Sequence, residues 1–344
     1  MEAIKRILIT GGGAPGAPGI LKSIAKEAPE LTIYACDTQP ETAGKLLANG
    51  YFTVPLGTAP NFVEILLAKC VEHRIQAVLP ITTRELEPLS KARSKFAQAG
   101  IHLIVSESKN LDIANDKGKL YTHLSQHSIP VPAFGIANTY AAYEEIKQAL
   151  KKDHKRFIIK PCKANGSRGF RIVDSSVDKH DLLFNHKPSS TYISEEELDQ
   201  TLHQPFPPLL VSEYLPGDEY TVDCLVQDGV PQLIIPRRRD KMNAGISVAG
   251  EIVNNTEIIA YCTDILATLK LHGPVGIQVK YSANNTPLIV EINPRIQGTT
   301  VALMGAGINI PLLSITNGLQ SKSLNETPIK WGTRFIRHYE ELYF

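Results

Sequence analysis

The sequence predicts a protein of α/β and α+β class, with a doubly wound parallel sheet on the N-terminal side and antiparallel sheets after it. Two observations predict this class. Over the first hundred residues, short apolar segments alternate with segments of helical periodicity across short connections, which is typical of a parallel sheet covered by helices. Further along, strand-like segments follow one another across polar or glycine-containing turns, which is typical of antiparallel pairing.

Length and composition narrow the class of protein before any motif is considered. The 344 residues allow two or three domains, and 43% hydrophobic with 21% charged residues is ordinary for a globular protein. A formal net charge of +1 gives no reason to expect a nucleic acid or membrane partner. The five cysteines are scattered without a C-x-x-C pair, so we expect reduced thiols in a cytoplasmic protein. The short apolar segment after Lys5 and Arg6 predicts a first strand and no secretory signal.

The doubly wound sheet is predicted from four apolar segments, RILIT, LTIYACD, AVLPI and HLIVS. Helices are expected between them, around residues 18–28, 61–73 and 84–99. We therefore predict a first domain over residues 1–106. A following helix can be capped by Asn115 or Asp116 and must end before Pro130.

The rest of the chain predicts strands with two further helices. RFIIKP and FRIV are expected to form a hairpin around the loop CKANGSRG, and a capping-box pattern at Ser194 predicts a short helix. The segments LLVSEYL, EYTVDCLV and PQLIIP are interpreted as neighbouring strands. A helix over residues 257–271 then precedes GIQVKY and LIVEIN, two strands joined by the polar turn SANNTP.

A glycine fingerprint follows the first strand. Gly11, Gly13 and Gly16 match G-x-G-x-x-G, and Asp37 ends the second strand where an acid that binds a ribose would stand. A nicotinamide-dependent dehydrogenase is therefore one hypothesis. Pro15 and Pro18 argue against it, because they remove two N–H donors that could hold a pyrophosphate. We favour a turn that lines a cleft in which an acceptor substrate rests.

Three oxygen-bearing side chains near the C-terminal hairpin form a candidate metal site. Strand alternation places Glu291 and Asn293 on one face, and Gln278 lies on the polar face of the partner strand. If the register aligns these faces, one carboxylate and two carbonyl oxygens converge, a donor set suited to Mg²⁺. Arg295 then stands at the strand end as an anion contact. The alternative is an ordinary strand with one solvated face.

Two further segments carry candidate nucleotide contacts. Lys160 emerges at a strand end before the small-residue loop 166–169, and such a pair can hold phosphate oxygens. Glu213 and Glu219 flank a Pro-Gly turn, where an acid can bind ribose hydroxyls and exposed backbone can pair with an adenine edge. The alternatives are an ordinary glycine-containing loop and a hairpin with surface acids.

In this order, the motifs resemble those of the ATP-grasp superfamily, most closely the half-domains of the carbamoyl phosphate synthase large subunit. The resemblance rests on NDKGKLYTHLSQHSIPVP, IIKPCKANGSRGF, SEYLPGDEYTVDCL, GIQVKY and IVEINPRIQGTT, after a preceding α/β domain. It implies a pre-ATP-grasp domain over residues 1–106 and an ATP-grasp domain over residues 107–344. Within the latter it implies a mobile lid over residues 133–212 and a metal- and nucleotide-binding subdomain over residues 213–344.

The resemblance also implies roles for individual residues. Lys117 and Lys160 look like the lysines that contact phosphate, and Arg295 would stand beside the transferred phosphate. The remaining implied contacts are the glycine-rich lid Gly166, Ser167, Arg168 and Gly169, the adenine hinge Glu213, Tyr214 and Leu215, the ribose ligand Glu219, and the metal ligands Gln278, Glu291 and Asn293. The implied cofactors are ATP and two Mg²⁺ ions, for which Mn²⁺ can substitute.

Three consecutive arginines lie where such enzymes approach the reaction centre. Alternation along a strand places Arg238 opposite Arg237 and Arg239, so the three cannot all face inward. Arg239 is our candidate for a catalytic contact with a carboxylate or acyl phosphate. The arginines that do not make such a contact are expected to be solvated.

The implied activity is an ATP- and Mg-dependent carboxylate–amine ligation through an acyl phosphate, with a small-molecule carboxylate and amine as partners and a homodimer left open. Charge neutralisation by the metal, Lys160 and Arg295 would carry the catalysis. One alternative is phosphorylation of bicarbonate or carbamate, as in carbamoyl phosphate synthase, and another is the NAD(P)-dependent oxidoreductase. A nucleotide-binding regulator without activity is disfavoured by the complete metal set.

Overall fold

The computed structural model describes residues 4–164, 166, 168–186, 191–243, 245–317 and 328–344. The described chain forms two compact units. The first contains the described residues up to Ala114 together with Glu219–Val279 and Val290–Phe344, and the second contains Asn115–Asp218 with Lys280–Ile289. Within those described residues, no helix combines the length and the hydrophobicity needed to cross a membrane.

The first unit begins with a five-stranded parallel sheet. Its strands are β1 (Arg6–Ile9), β2 (Thr32–Asp37), β3 (Gly50–Thr53), β4 (Ala77–Leu79) and β5 (His102–Leu103). They are hydrogen-bonded in the order β3-β2-β1-β4-β5, and every pair is parallel. The chain thus builds the sheet outward in both directions from β1 and β4, which is the doubly wound arrangement that the sequence predicts.

Helices connect these strands, and a further helix follows β5. They are α1 (Ala17–Glu27), α2 (Ala43–Leu47), α3 (Phe62–Glu72), α4 (Thr83–Lys91), α5 (Arg93–Gln98) and α6 (Ser108–Ala114). Because both faces of the sheet are covered, β4 is buried along its whole length. One face packs Ile9 and Ile20 in the same hydrophobic cluster as Ile296 and Ile315, so segments distant in sequence share the core of the first unit.

The second unit contains a mixed sheet with helices. In chain order its elements are α7 (Lys117–Gln126), β6 (Phe134–Ala137), α8 (Tyr140–Leu150), β7 (Phe157–Pro161), β8 (Arg171–Val173), α9 (Lys179–Asn185), β9 (Tyr192–Ile193), α10 (Glu195–Leu202) and β10 (Leu209–Glu213). The strand order is β6-β10-β7-β8-β9, antiparallel except between β8 and β9. The β7–β8 hairpin confirms the predicted one, and Ser194 and Glu197 form the predicted capping box at the start of α10.

A third sheet follows, with six strands in the order β15-β14-β11-β12-β13-β16. These elements are β11 (Glu219–Gln227), β12 (Val230–Asn243), β13 (Ile246–Ile252), α11 (Thr256–Leu269), β14 (Gly273–Tyr281), β15 (Pro287–Asn293), a 3-10 helix (Thr300–Ala306), α12 (Ile310–Asn317) and β16 (Arg334–Ile336). The β11–β12, β12–β13 and β13–β16 pairs are antiparallel. A parallel sheet followed by largely antiparallel sheets confirms the predicted fold class.

One predicted neighbourhood is wrong. β10 lies between β6 and β7 in the second sheet, whereas β11 belongs to the third sheet, so the two strands are not neighbours. The Pro-Gly turn between them is therefore a crossing from one sheet to another and not a hairpin. The domain boundaries at residues 106 and 212 stay predictions.

Candidate nucleotide and metal site

The end of β15 brings three of the predicted site residues into contact. The amide nitrogen of Asn293 donates to Oε1 of Glu291 over 3.1 Å, which confirms that the two side chains share a face. The Nη2 group of Arg295 donates to Oδ1 of Asn293, also over 3.1 Å. The strand therefore presents a carboxylate, an amide and a guanidinium in one hydrogen-bonded row.

Gln278 lies on the strand next to this row. Along β14, Gln278 and Lys280 are half-buried while Ile277 and Val279 are buried, so the predicted alternation holds. β14 and β15 are neighbours in the sheet. The chemistry of Gln278, Glu291 and Asn293 fits Mg²⁺, because each offers a hard oxygen and a carbonyl oxygen has a second lone pair beyond the one that Arg295 occupies.

Arg295 is held in place on two sides. Its Nη1 donates to the carbonyl of Ile296 over 2.8 Å, and its Nε donates to Oγ1 of Thr83 over 3.0 Å. Burial lowers the pKa of Arg295, while the negative charges of Glu291 and Glu85 act in the opposite direction. The Arg295 side chain is half-buried, and a partly desolvated guanidinium exerts a stronger field on an anion than a fully solvated one does.

Arg238 lies on the opposite face of β12 from its two neighbouring arginines, as strand alternation predicts. The arginines differ from the expectation in how far they are exposed to solvent. Arg237 is fully buried, and its Nε contacts Oδ2 of Asp223 over 2.5 Å. The expectation that the arginines outside the site are solvated is therefore wrong for Arg237, because a buried acid on the neighbouring strand compensates it. Arg238 lies partly exposed between Asp240 and Glu251.

Arg239 and Glu219 contact each other. Their side chains form an ion pair, and the Arg239 side chain is only 4% exposed. A second guanidinium nitrogen donates to the carbonyl of Gly245, and the Nε of Arg239 has no hydrogen-bond partner among the described atoms. The sequence predicts that Arg239 contacts the reacting carboxylate and that Glu219 binds the ribose. The structure brings these two side chains into contact.

The predicted phosphate lysines lie in the second unit. Lys117 starts α7, which Asp116 caps, and its Nζ donates to the carbonyl of Ala164 over 2.9 Å. Lys160 lies on β7, 5% exposed, with its Nζ 3.5 Å from the hydroxyl of Tyr121. Both lysines thus border the loop that follows β7 at its base.

That loop is the predicted glycine-rich lid. Gly166 and Gly169 have φ values of +64° and +75°, in the left-handed region that favours glycine. A Cβ at Gly169 would also lie 2.6 Å from the ring of Pro161. Arg168 is exposed, and Ser167 lies outside the described residues. Glycine is therefore required here by backbone geometry.

The predicted hinge follows β10. The Glu213 carboxylate lies 3.1 Å from Nε2 of His154, a contact that is an ion pair when the histidine is protonated. Burial raises the pKa of Glu213, while a charge on His154 and a main-chain contact at Ala133 lower it. The ring of Tyr214 lies under the guanidinium of Arg156, at 4.6 Å, and the ammonium of Lys280, at 5.1 Å. Leu215 is buried. The side chains of the predicted hinge residues Tyr214 and Leu215 are thus held by cation–π contacts and by burial.

The glycines of the opening fingerprint serve packing. A Cβ at Gly16 would lie 2.6 Å from the Cα of Gly298, so these two backbones touch. The N–H of Gly12 donates to the carbonyl of Cys36, and the N–H of Gly13 donates to Oδ2 of Asp37 over 2.8 Å. Asp37, the acid that would bind a ribose, therefore already accepts from Gly13, and the N–H of Gly12 is used by the Cys36 carbonyl. Both contacts disfavour a pyrophosphate at this turn.

Two contacts of the site were absent from the sequence predictions. Thr83 has a usable signal, because Thr82 and Glu85 have capping-box spacing directly after a strand of the parallel sheet, the edge at which such sheets bind ligands. No sequence signal predicts the contact of His154. Its partner Glu213 is 59 residues away, and their contact depends on the antiparallel register of β7 and β10.

Two family models match separate parts of the chain. Residues 205–338 match a family model described as an ATP-grasp in the biosynthetic pathway with the Ter operon, and residues 7–104 match the model of the PylC-like N-terminal domain. Residues 205–338 are therefore similar to an ATP-grasp domain, and residues 7–104 are similar to a PylC-like N-terminal domain. The resemblance and the fold inferred from the sequence are thereby confirmed.

The chain is also homologous to a longer protein. It is 25% identical over 245 residues to the carbamoyl phosphate synthase large chain of Clostridium acetobutylicum, an alignment that covers 67% of this chain and 21% of the other. The chain therefore spans about a fifth of that relative's length.

Two solved structures share the fold. The L-amino acid ligase from Bacillus licheniformis superposes with a TM-score of 0.66 at 18% identity, covering 93% of this chain and 75% of that one. The second is the biotin carboxylase domain dimer of Hydrogenobacter thermophilus 2-oxoglutarate carboxylase, solved with MgADP, ADP and bicarbonate. It superposes with a TM-score of 0.65 at 14% identity, covering 97% of this chain and 74% of that one.

Proposed function

We propose that the ATP-grasp chain is an ATP- and Mg²⁺-dependent ligase that activates a carboxylate as an acyl phosphate and joins it to an amine. The observation that carries the proposal is the hydrogen-bonded row of Glu291, Asn293 and Arg295 at the end of β15. It places hard oxygen donors beside a half-buried guanidinium, the combination that holds a metal-bound triphosphate and a transferred phosphoryl group. Further support comes from the L-amino acid ligase that shares the fold.

The nucleotide contacts follow the predicted residues. In this proposal, the main chain at Tyr214 and Leu215 pairs with the adenine, Glu213 closes the hinge, and Glu219 binds the ribose. Lys117 and Lys160 contact phosphates under the lid of Gly166–Gly169, within the proposed lid subdomain of residues 133–212. Because Glu219 is paired with Arg239 in this structure, ribose binding has to share or release that contact. Arg239 would then be available to a substrate carboxylate.

Gln278, Glu291 and Asn293 would hold the metal, which supplies charge neutralisation to the phosphates when bound. We propose two Mg²⁺ ions, for which Mn²⁺ can substitute. Arg295 lies next to this set and stabilises negative charge that develops on the transferred phosphoryl group. Its three hydrogen bonds fix its orientation before substrate arrives, so little reorganisation is needed during the reaction.

The chemistry requires no nucleophile from the protein. A carboxylate oxygen of the substrate attacks the γ-phosphorus, the bond to the β-phosphate oxygen breaks, and ADP leaves. The amine then attacks the acyl carbon, inorganic phosphate leaves, and the nitrogen loses a proton as the amide forms. Cys162, next to the phosphate lysines, is unsuited to a covalent step because burial raises the pKa of its thiol.

A second candidate is phosphorylation of bicarbonate or carbamate. It is favoured by the homology to the carbamoyl phosphate synthase large chain and by the bicarbonate in a structure with the same fold. The two functions differ in what sustains ADP release over many turnovers. Bicarbonate alone suffices for the second, whereas ligation needs an acid to form the acyl phosphate and an amine to discharge it.

The test is a screen for ADP release with amino acids in pairs, with bicarbonate as a separate arm. Glu291→Gln should lower substrate-dependent ADP release by about 100-fold or more, because an amide cannot replace the charge of a metal-binding carboxylate. Glu64→Gln, on the exposed start of α3, is the matched control and should retain activity. Wild-type activity in Glu291→Gln would refute the metal assignment, and a melting temperature raised by NAD(P)H but not by MgATP would favour the oxidoreductase.

A further inference from the structure

Arg295 is oriented by a residue from the opposite end of the chain. Thr83, 212 positions earlier, accepts the hydrogen bond from Nε over 3.0 Å. The two other described hydrogen bonds of this guanidinium stay within its own turn, to Asn293 and Ile296. A planar guanidinium that is held from both sides cannot rotate about its last bonds without losing a contact.

Thr83 is itself fixed by an anchored helix start. It is the first residue of α4, whose capping box joins Thr82 and Glu85. Oε1 of Glu85 accepts from the N–H of Thr82 over 2.8 Å and from the hydroxyl of Thr10, just after β1, over 2.5 Å. Glu85 is only 5% exposed, and burial raises its pKa while these hydrogen bonds act in the opposite direction. The buried carboxyl thus ties the first turn of α4 to the end of β1.

The same corner is packed tightly. A Cβ at Gly11 would lie 2.4 Å from Cγ2 of Thr82, and a Cβ at Gly57 would lie 3.0 Å from the backbone of Glu85. Because the backbones at Gly11 and Gly57 approach the first turn of α4 this closely, that turn has little room to shift. Its hydroxyl at Thr83 is therefore a rigid support.

We propose that Thr83 is a positioning residue for Arg295 and that Glu85 acts through Thr83 by anchoring the start of α4. The proposal rests on the proposed function, which places Arg295 against the transferred phosphoryl group. A hydroxyl is a suitable support because it fixes the direction of the guanidinium without neutralising its charge. The doubly wound sheet then contributes to catalysis by orienting a cation at the end of β15.

The first test removes the hydroxyl while keeping the shape of the side chain. Thr83→Val should lower kcat for ADP formation by about 10- to 100-fold, the scale of a small misplacement of a catalytic group, with KM for ATP unchanged. Thr83→Ser, which keeps the acceptor, should restore kcat. Thr263→Val, which removes an exposed hydroxyl on α11, is the matched control.

A double-mutant cycle separates positioning from an independent effect. If Thr83 acts through Arg295, Thr83→Val should cost nothing further in an Arg295→Lys background. Glu85→Gln should give a smaller loss that disappears when Thr83→Val is also present. Wild-type kcat in Thr83→Val, or losses that add in full to that of Arg295→Lys, would overturn the proposal.

A second readout needs no activity. This readout is the rate at which the Nε–H proton of Arg295 exchanges with water, measured by NMR. The resonance is assigned by its absence in Arg295→Lys. Exchange should be slow in the wild type and in Thr83→Ser, and faster in Thr83→Val. If the wild type releases no ADP with any substrate while this dependence holds, the proposed function fails and the positioning contact stands. If ADP release is normal and the exchange rate is the same in Thr83→Val as in the wild type, the positioning role of Thr83 is refuted and the proposed function stands.

Discussion

Arg237 shows most clearly how a residue expected to be either solvated or at the site can be structural in the fold. Its Nε binds Asp223, its Nη2 donates to Thr299 over 2.9 Å, and the other Asp223 oxygen accepts from Thr300. The ring of Phe335 lies 5.7 Å from its guanidinium carbon. These contacts compensate the buried charge through Nε and Nη2, whereas Nη1 of Arg237 has no hydrogen-bond partner among the described atoms. Because Arg237 is 0% exposed, its guanidinium is closed to a substrate from solvent.

We expect Arg237→Met to destabilise the protein by about 3–5 kcal/mol, because it leaves the Asp223 carboxylate buried without a compensating charge. Urea unfolding followed by circular dichroism measures the change. Arg238→Met is the matched control on the opposite face of the same strand. Its ion pairs are partly exposed and should be worth about 1 kcal/mol or less. Equal losses in the two variants would contradict this interpretation of Arg237.

Strand alternation predicted that Arg237 and Arg239 share a face, but it could not predict their different partners. Asp223 reaches Arg237 through the β11–β12 register, which pairs Thr221 with Arg237. That register is set by the turn between the strands and by an irregularity at Leu225/Val226, and neither is visible in a pattern of residue types. Glu291 and Asn293 were easier to place, since two residues on one strand need no register at all.

At the level of elements, the glycine loop after β1 is a packing device. Gly16 touches the backbone of Gly298, which lies in the turn that follows Arg295. A Cβ at Gly19 would also meet Val301 at 2.8 Å. The start of α1 therefore approaches the segment after β15 at backbone distance. Glycine is needed here for close approach, the same property that a dinucleotide site would use.

Gly16→Ala should destabilise the protein by about 1–3 kcal/mol, because the new methyl group meets backbone at 2.6 Å and backbone cannot move aside as a side chain can. Gly12→Ala lies in the same loop, where its Cβ would make ordinary contacts at 3.5 Å, and is the matched control. Thermal unfolding of both variants measures the difference. An unchanged midpoint in Gly16→Ala would remove the packing explanation of the fingerprint.

The existence and type of most elements followed from hydrophobic period and capping signals. The α10 capping box and the β7–β8 hairpin are examples. These signals did not predict which sheet each strand belongs to. β10 and β11 are separated by a short Pro-Gly segment that is typical of a hairpin, yet they belong to different sheets. Local turn chemistry cannot reveal that β10 is inserted between β6 and β7, because those partners are distant in sequence.

On the scale of the whole molecule, each compact unit is assembled from separated segments. The first takes residues from before Ala114 and after Glu219, and the second includes the short insertion Lys280–Ile289. The sequence predicts domains as continuous ranges, because composition shifts and linkers are read along the chain. Interleaving arises from sheet pairing, which joins segments without regard to their order, so it could not be read from the linear pattern.

A histidine pair makes the stability of the first unit depend on pH. His102 on β5 and His272 before β14 have ring centroids 6.4 Å apart, and Nδ1 of His272 lies 3.0 Å from Asp228. Burial lowers the pKa of both rings below the usual 6.5. Arg93 lowers both further and His272 lowers that of His102, while Asp228 acts in the opposite direction. The Nε2 of His102 is buried without a hydrogen-bond partner among the described atoms.

The sign of the effect follows from proton binding. Between the lowered folded-state pKa values and about 6.5, the unfolded chain binds more protons than the folded one, so stability is lost as the pH falls through this window. The slope is at most about 1.4 kcal/mol per pH unit for each histidine. Urea midpoints measured from pH 7.5 to 5 should fall less steeply in His102→Asn than in the wild type. His338→Asn, at an exposed position, should leave the slope unchanged. If His102→Asn and the wild type lose stability in parallel, the acid sensitivity of the first unit arises elsewhere.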